Sequence, residues 1–336
     1  MLKRLLALVV LLVLAVAAYA AWRGHQFLTT APETPGRDVT VTIEQGMGFD
    51  QITSLLYKEG VITDPLGFKL LARYSGQDAR LKAGEYLLNT GNTPGRVLDM
   101  LVSGQAILYK VAVPEGLTLK QIARLTEQAG MGSAESFERA ARDKELLAKY
   151  GVPSDSAEGF LFPETYHFTK KPGNDARQVT EAMLAQFRKA AAKAWPKAVP
   201  EGRELYEAVI LASIVEKETG QSGERGKIAG VFANRLRLKM LLQTDPTIIY
   251  GLGDKFTGNL KRSHLDDPKN PYNTYQHPGL PPGPICNPGL EALKAAASPE
   301  AHDYLYFVSK NDGTHHFSKS LDEHNSAVNR YQRRGK

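Results

Sequence analysis

The spacing of hydrophobic residues changes at several points along the chain, and each change marks an element. Leu5 to Trp22 contains no charged residue, with Lys3 and Arg4 before it and Arg23 after it. About 20 such residues are what a helix needs to cross a bilayer. Ala18-Tyr19-Ala20 has the form of a signal-peptidase site, which is the rival reading. The apolar run is longer than a signal core, however, and Trp22 with Arg23 matches an interfacial anchor. The expectation is a short cytoplasmic N-terminus (1–4), a transmembrane helix (5–22), a linker (23–38) rich in Pro and Thr around "TTAPETPGR", and a remainder outside the cytoplasm.

Beyond the linker the period alternates between two and about 3.6 residues. Val39 to Ile43 alternates as a strand, Gly46 to Gly48 turns, and Ile52, Leu55 and Leu56 give Phe49 to Lys58 helical spacing. Leu66 to Tyr74 reads as a second helix, and Leu81 to Leu88 turns at Gly84 and returns as a strand. Thr93 and Pro94 open another helix that Gly104 stops. This small βααβ unit, 39–107, resembles the LysM class of peptidoglycan-binding modules. "VTIEQGMGFDQIT" (Val41 to Thr53) is echoed by "VAVPEGLTLKQIA" (Val111 to Ala123), so a second strand-turn-helix unit is expected at 111–131. Two copies do not make a solenoid.

The rest, 108–336, reads as a mixed α+β domain. Thr126 to Tyr150 is helical and charged, and Asp175 to Trp195 is an amphipathic helix with its acid first and its bases late. Glu204 to Thr219 is a strongly apolar helix, and Glu224 to Met240 follows as another. From Gln243 onward the chain is rich in Pro, Gly, Asn and aromatics, with a short strand at Tyr304 to Lys310 and a final helix.

Composition narrows the function. A net charge of +6 without a Lys/Arg stripe does not read as a nucleic-acid footprint. Cys286 is the only cysteine, which removes a disulfide framework and a cysteine-based metal site. His315-His316, His302 and His324 form no H-E-x-x-H pattern.

The chemistry concentrates at the end of the apolar helix, "AVILASIVEKETG". Glu218 follows Leu211, Ile214 and Val215 on a bulky stripe, whereas Glu216 follows Val209, Ala212 and Ser213 on a smaller one. Residues two apart on a helix face nearly opposite sides, so the two do not form a close pair. A carboxyl held against apolar side chains has a raised pKa, as a general acid needs. The helix C-terminus raises it further, and Lys217 offsets part of this. The plain alternative is a solvated helix end. Gln243, Thr244 and Asp245 form a turn dense in donors and acceptors, and Tyr272, Asn273, Thr274 and Tyr275 add amides and rings. Such groups suit a sugar-binding groove, with ring faces for pyranoses and amides for hydroxyls. Their structural alternative is turn-fixing and packing.

"KAGEY", "ASIVEKET", "NRL", "LQTDPT", "YGLG", "YNTY", "GLPPGPI", "NPG" and "LYFV" occur in that order. Together with the N-terminal anchor they resemble the endolytic murein transglycosylases of the MltG type, from the anchor to about residue 330. The resemblance implies cleavage within nascent peptidoglycan strands, between N-acetylmuramic acid and N-acetylglucosamine, leaving 1,6-anhydromuramic ends. It places the catalytic acid/base on the second glutamate of "EKE", Glu218, and implies a LysM-like unit. It also implies a single-pass inner-membrane location near the synthases, with no cofactor and no metal. Gln243, Thr244, Asp245, Asn273 and Tyr275 become candidates for holding the sugar. Rival readings are a hydrolytic muramidase with Glu216, Glu224 or Asp245 as second carboxylate, a Cys286 transpeptidase, a metal enzyme, and a non-catalytic wall-binding scaffold.

Overall fold

A computed structural model describes residues 2–170, 173 and 175–333. Residue 1 of the expected cytoplasmic segment and 171, 172, 174 and 334–336 of the expected second domain lie outside the described residues. The chain divides into two compact units, Met1–Tyr109 with His167–Gly173, and Lys110–Tyr166 with Asn174–Lys336. Both helices and strands are present, so the architecture is mixed α+β.

The first unit begins with α1 (Leu2–Thr29), which runs on as helix beyond Trp22. Its apolar residues are exposed, and its length and hydropathy suffice to cross a membrane. Next come β1 (Asp38–Ile43), α2 (Phe49–Lys58), α3 (Pro65–Tyr74), β2 (Gly84–Asn89) and α4 (Pro94–Ser103). β1 and β2 pair antiparallel, Val39 opposite Leu88 and Val41 opposite Tyr86. Alternation then sends Val39, Val41, Ile43, Tyr86 and Leu88 to one face. Ile52 and Leu56 of α2, Phe68 and Ala72 of α3, and Val97, Leu98 and Leu101 of α4 cover that face. Asp64 caps α3 by accepting from the Gly67 N–H at 3.0 Å. Thr93 occupies the cap position of α4 without a side-chain cap bond, so Pro94 alone favours that start. Gly104 ends α4 at φ +78°, its N–H bonded to the Met100 carbonyl, a left-handed terminus that suits glycine.

The second unit holds α5 (Leu119–Gln128), α6 (Ala134–Ala140), α7 (Lys144–Lys149), α8 (Asp175–Ala194), α9 (Gly202–Glu218), α10 (Arg225–Arg237), α11 (Asp245–Leu252), α12 (Arg262–Leu265), α13 (Leu290–Ala297) and α14 (Leu321–Val328). Strands β3 (Tyr109–Ala112) and β4 (Thr165–Phe168) each contain residues of both units, whereas β5 (Tyr306–Ser309) and β6 (His315–Ser318) pair antiparallel within the second. The charged stretch 126–150 is three helices rather than one, because Ser133 and Asp143 each cap a new start. The echo between the units recurs as a local cap. Gln51 accepts from the Gly48 N–H, and Gln121 from the Thr118 N–H, both at 2.9 Å. The core of this unit packs Ile210, Leu211, Ile214 and Val215 of α9 against Ile228, Ala229 and Phe232 of α10, with Leu242, Ile285 and Ala295.

Candidate active site

The helix α9 is buried along most of its length, from Leu205 to Val215. Ser213 explains how a polar residue is accommodated there: its hydroxyl donates to the Ile210 carbonyl at 2.7 Å and accepts the Ile285 N–H at 3.0 Å. Glu218 is the last helical residue, and Thr219 turns the chain to extended backbone. A carboxyl is therefore delivered at the edge of a packed core.

The turn carrying Gln243 and Thr244 meets this carboxyl. The buried Thr244 hydroxyl donates a hydrogen bond to Oε1 of Glu218. Thr244 is itself fixed by Thr274, whose hydroxyl accepts the Thr244 N–H at 3.1 Å and whose carbonyl accepts the Gln243 N–H at 3.1 Å. Thr247 closes the set, 2.9 Å from the Thr274 hydroxyl. Gln243 takes φ +52° to make this turn. Beside it, Oδ1 of Asp245 accepts the Tyr275 hydroxyl at 2.8 Å.

Electrostatics at Glu218 follow from these neighbours. Burial raises its pKa above the ordinary carboxylate value. The Thr244 bond opposes that rise, the charge of Asp245 adds to it, and His315 and Arg235 oppose it. Tyr275 is likewise raised, by burial and then by its bond to Asp245. The structure thus brings together Glu218, Gln243, Thr244, Asp245 and Tyr275. Asn273 stands apart from them. It is fully buried, its amide donating to the carbonyls of His264, Leu265 and Asp267 while its oxygen accepts the Tyr275 N–H. Its place is to shape the loop that presents Tyr275.

Two participants, Arg235 and His315, carried no assigned role in the sequence. Arg235, from "NRL", donates to the carbonyls of Leu305 at 2.7 Å and Leu242 at 2.9 Å and to Oε1 of Gln243 at 3.4 Å, and lies over the Tyr306 ring. His315 is gripped by Glu224, which accepts its N–H at 3.0 Å and pairs with Nδ1 at 2.7 Å. Burial would raise Glu224, yet the bonds from His315 win and its pKa is lowered. Motif order marked "NRL" as notable, but the contacts span distant segments and have no local signal. His316, next on the strand, instead lies against Tyr331.

Glu216 is no solvated helix end. Its side chain is 6% exposed and pairs at 3.2 Å with Arg225, itself 10% exposed. Its other oxygen accepts the Gly289 N–H at 2.9 Å. A Cβ at Gly289 would fall 1.9 Å from Oε1 of Glu115, so a side chain there would displace that carboxylate. Cys286 is fully buried, its thiol directed to the Ser213 carbonyl, and burial pushes its pKa well up. A thiol so placed is not a nucleophile.

A further buried carboxylate, Glu158, lies elsewhere in this unit. It accepts the Leu119 N–H, the Asn287 amide at 2.9 Å and the Tyr250 hydroxyl at 3.1 Å. Burial outweighs these bonds and brings its pKa to about 7.

Comparison with known proteins gives consistent results. The profile of the YceG-like family matches residues 41–330. A Bacillus subtilis protein named endolytic murein transglycosylase is 32% identical over 323 residues, which cover 92% of this chain and 89% of that protein. A protein of the same name from Streptococcus pneumoniae is 30% identical over 321 residues, covering 86% of this chain and 58% of its own length. A crystal structure of a yceG-like protein from Listeria monocytogenes aligns with a TM-score of 0.54 at 31% identity, over 86% of this chain and 98% of that one.

Proposed function

The chain belongs to the YceG-like family and is a lytic murein transglycosylase, and from that premise we propose that it cuts peptidoglycan strands internally with Glu218 as its one acid/base. Protonated Glu218 donates to the glycosidic oxygen between N-acetylmuramic acid and N-acetylglucosamine, and that C–O bond breaks. Positive charge develops on the muramic carbon. The carboxylate then takes the proton of the C6 hydroxyl as its oxygen closes on that carbon, giving a 1,6-anhydromuramic end. The nucleophile belongs to the substrate, so the two set carboxylates of an ordinary glycosidase are not required.

The observation that carries this reading is the placement of Glu218: a carboxyl with a raised pKa at the end of a buried helix, held by Thr244. Gln243, Thr244, Asp245 and Tyr275 line the surroundings of that carboxyl and are assigned to the sugar, with Asn273 behind them. The βααβ order of the first unit supports a LysM-like glycan-binding role. The exposed apolar α1 supports a single-pass anchor with Lys3 and Arg4 in the cytoplasm and the catalytic unit outside, near the synthases that extend the strands.

The test is Glu218→Gln. The variant should keep the circular dichroism and melting of the parent and lose cleavage of purified strands by at least about 100-fold. Full activity in that variant would remove Glu218 from the chemistry.

A further inference from the structure

Helix α3 has an apolar face that its own unit does not use. Phe68 and Ala72 fill the core, whereas Leu66, Leu70 and Tyr74 are 68%, 59% and 95% exposed. Residues four apart stack on one side of a helix, so these three make a continuous outer stripe. Lys69 and Arg73 border one edge of it, and Lys69 is held at 2.6 Å by Asp50. On the other edge α1 approaches: a Cβ on Gly67 would lie 3.1 Å from the Phe27 ring. A groove of about 1070 Å³ opens there, lined by Ala20, Arg23 and Gly24 of α1 and by Leu66, Leu70 and Tyr74 of α3.

We infer that the Leu66–Leu70–Tyr74 stripe is a membrane-surface contact, seated in the headgroup region of an anionic bilayer beside α1. Continuity selects the occupant. The groove joins the stripe to Ala20 and Arg23, where the uncharged run of α1 ends and where Tyr19 and Trp22 pair with ring centres 5.9 Å apart. Aromatics and basic residues gather at that depth of a membrane. Apolar residues edged by Lys and Arg are the pattern of a helix lying in the interface. The contact would hold the first unit against the bilayer instead of leaving it on a free tether.

This inference rests on α1 crossing the membrane. The test uses the full chain in vesicles of phosphatidylethanolamine and phosphatidylglycerol, with a fluorophore on Tyr74→Cys or, as control, on Leu87→Cys of β2. Buried Cys286 does not compete for label. Headgroup-level nitroxide lipids should quench the label at 74 on the order of threefold more than at 87. Adding Leu66→Asp and Leu70→Asp should bring the two to the same level. Equal quenching without those changes would overturn the contact. So would a spectral change at 74 that follows protein concentration and not quencher, which would indicate a second copy. Carbonate extraction separates the premises: a chain that washes off the vesicles fails the anchor, whereas a retained chain with unquenched 74 fails only this contact.

Discussion

The hydroxyl of Thr244 donates to Oε1 of Glu218, while the carboxylate of Asp245, the next residue, acts on the same carboxyl through its charge. The two neighbours pull in opposite directions. The hydrogen bond favours the ionised form of Glu218 and the like charge disfavours it. Burial raises the carboxyl most, and this one turn adjusts from both sides the acidity of the group proposed to donate the proton.

The pH profile of cleavage should register both. A general acid works protonated, so kcat/KM falls as pH rises through the Glu218 pKa. Thr244→Val removes the bond that favours the carboxylate, and the falling limb should move to higher pH. Asp245→Asn removes the opposing charge, and the limb should move to lower pH. A purely structural role for either residue would lower activity without moving the limb.

Glu216 should matter to stability and not to chemistry. Its removal in Glu216→Ala takes the nearer carboxylate from the buried Arg225, leaving only Glu115 at 3.7 Å, and takes the acceptor from the Gly289 N–H. The expected cost is about 3 kcal/mol, measured by denaturant titration. Cleavage per folded molecule should stay within a few-fold of the parent. A complete loss in folded protein would revive Glu216 as the second carboxylate of a hydrolase.

Glu158 should make stability fall with rising pH. Its pKa is raised from about 4.5 to about 7 in the folded state by burial, so between those values the native state holds a proton that the unfolded chain has released. Stability from this group is complete below 4.5, declines through the interval and levels off above 7. The total is about 3 kcal/mol by linkage. Glu158→Gln should flatten that slope, as read from denaturation midpoints at several pH values.

Cys286 should be silent. A thiol reagent should leave cleavage unchanged and label the cysteine only after denaturation, as a colorimetric thiol titration would show. Rapid labelling of the native protein would contradict its burial.

The parts of this molecule visible in its sequence are those set by local geometry. The β1 alternation, the α2 and α3 spacing and the Gly104 stop appear where the period places them. The burial of Glu218 is readable because a helix wheel relates it to Leu211, Ile214 and Val215 without knowledge of any other segment. The Thr244 contact is not, because it depends on Gln243 adopting a left-handed backbone and on Thr274 arriving from another loop. For the same reason sequence leaves open whether Glu216 is solvated at the helix end, since Arg225 and Gly289 reach it from other segments. Asn273 suggested a sugar ligand by residue type alone, and its amide is spent on three carbonyls. The Glu224–His315 pair joins segments far apart in the chain and has no periodic trace.

The most direct measurement is the mass of the products. Purified peptidoglycan is digested with the full chain and with Glu218→Gln, and the muropeptides are weighed. Fragments lighter by one water than hydrolysis gives, present with the parent and absent with the variant, are the predicted result. Reducing muramic ends from the parent would contradict the single-carboxylate lyase and require a second acid at the site.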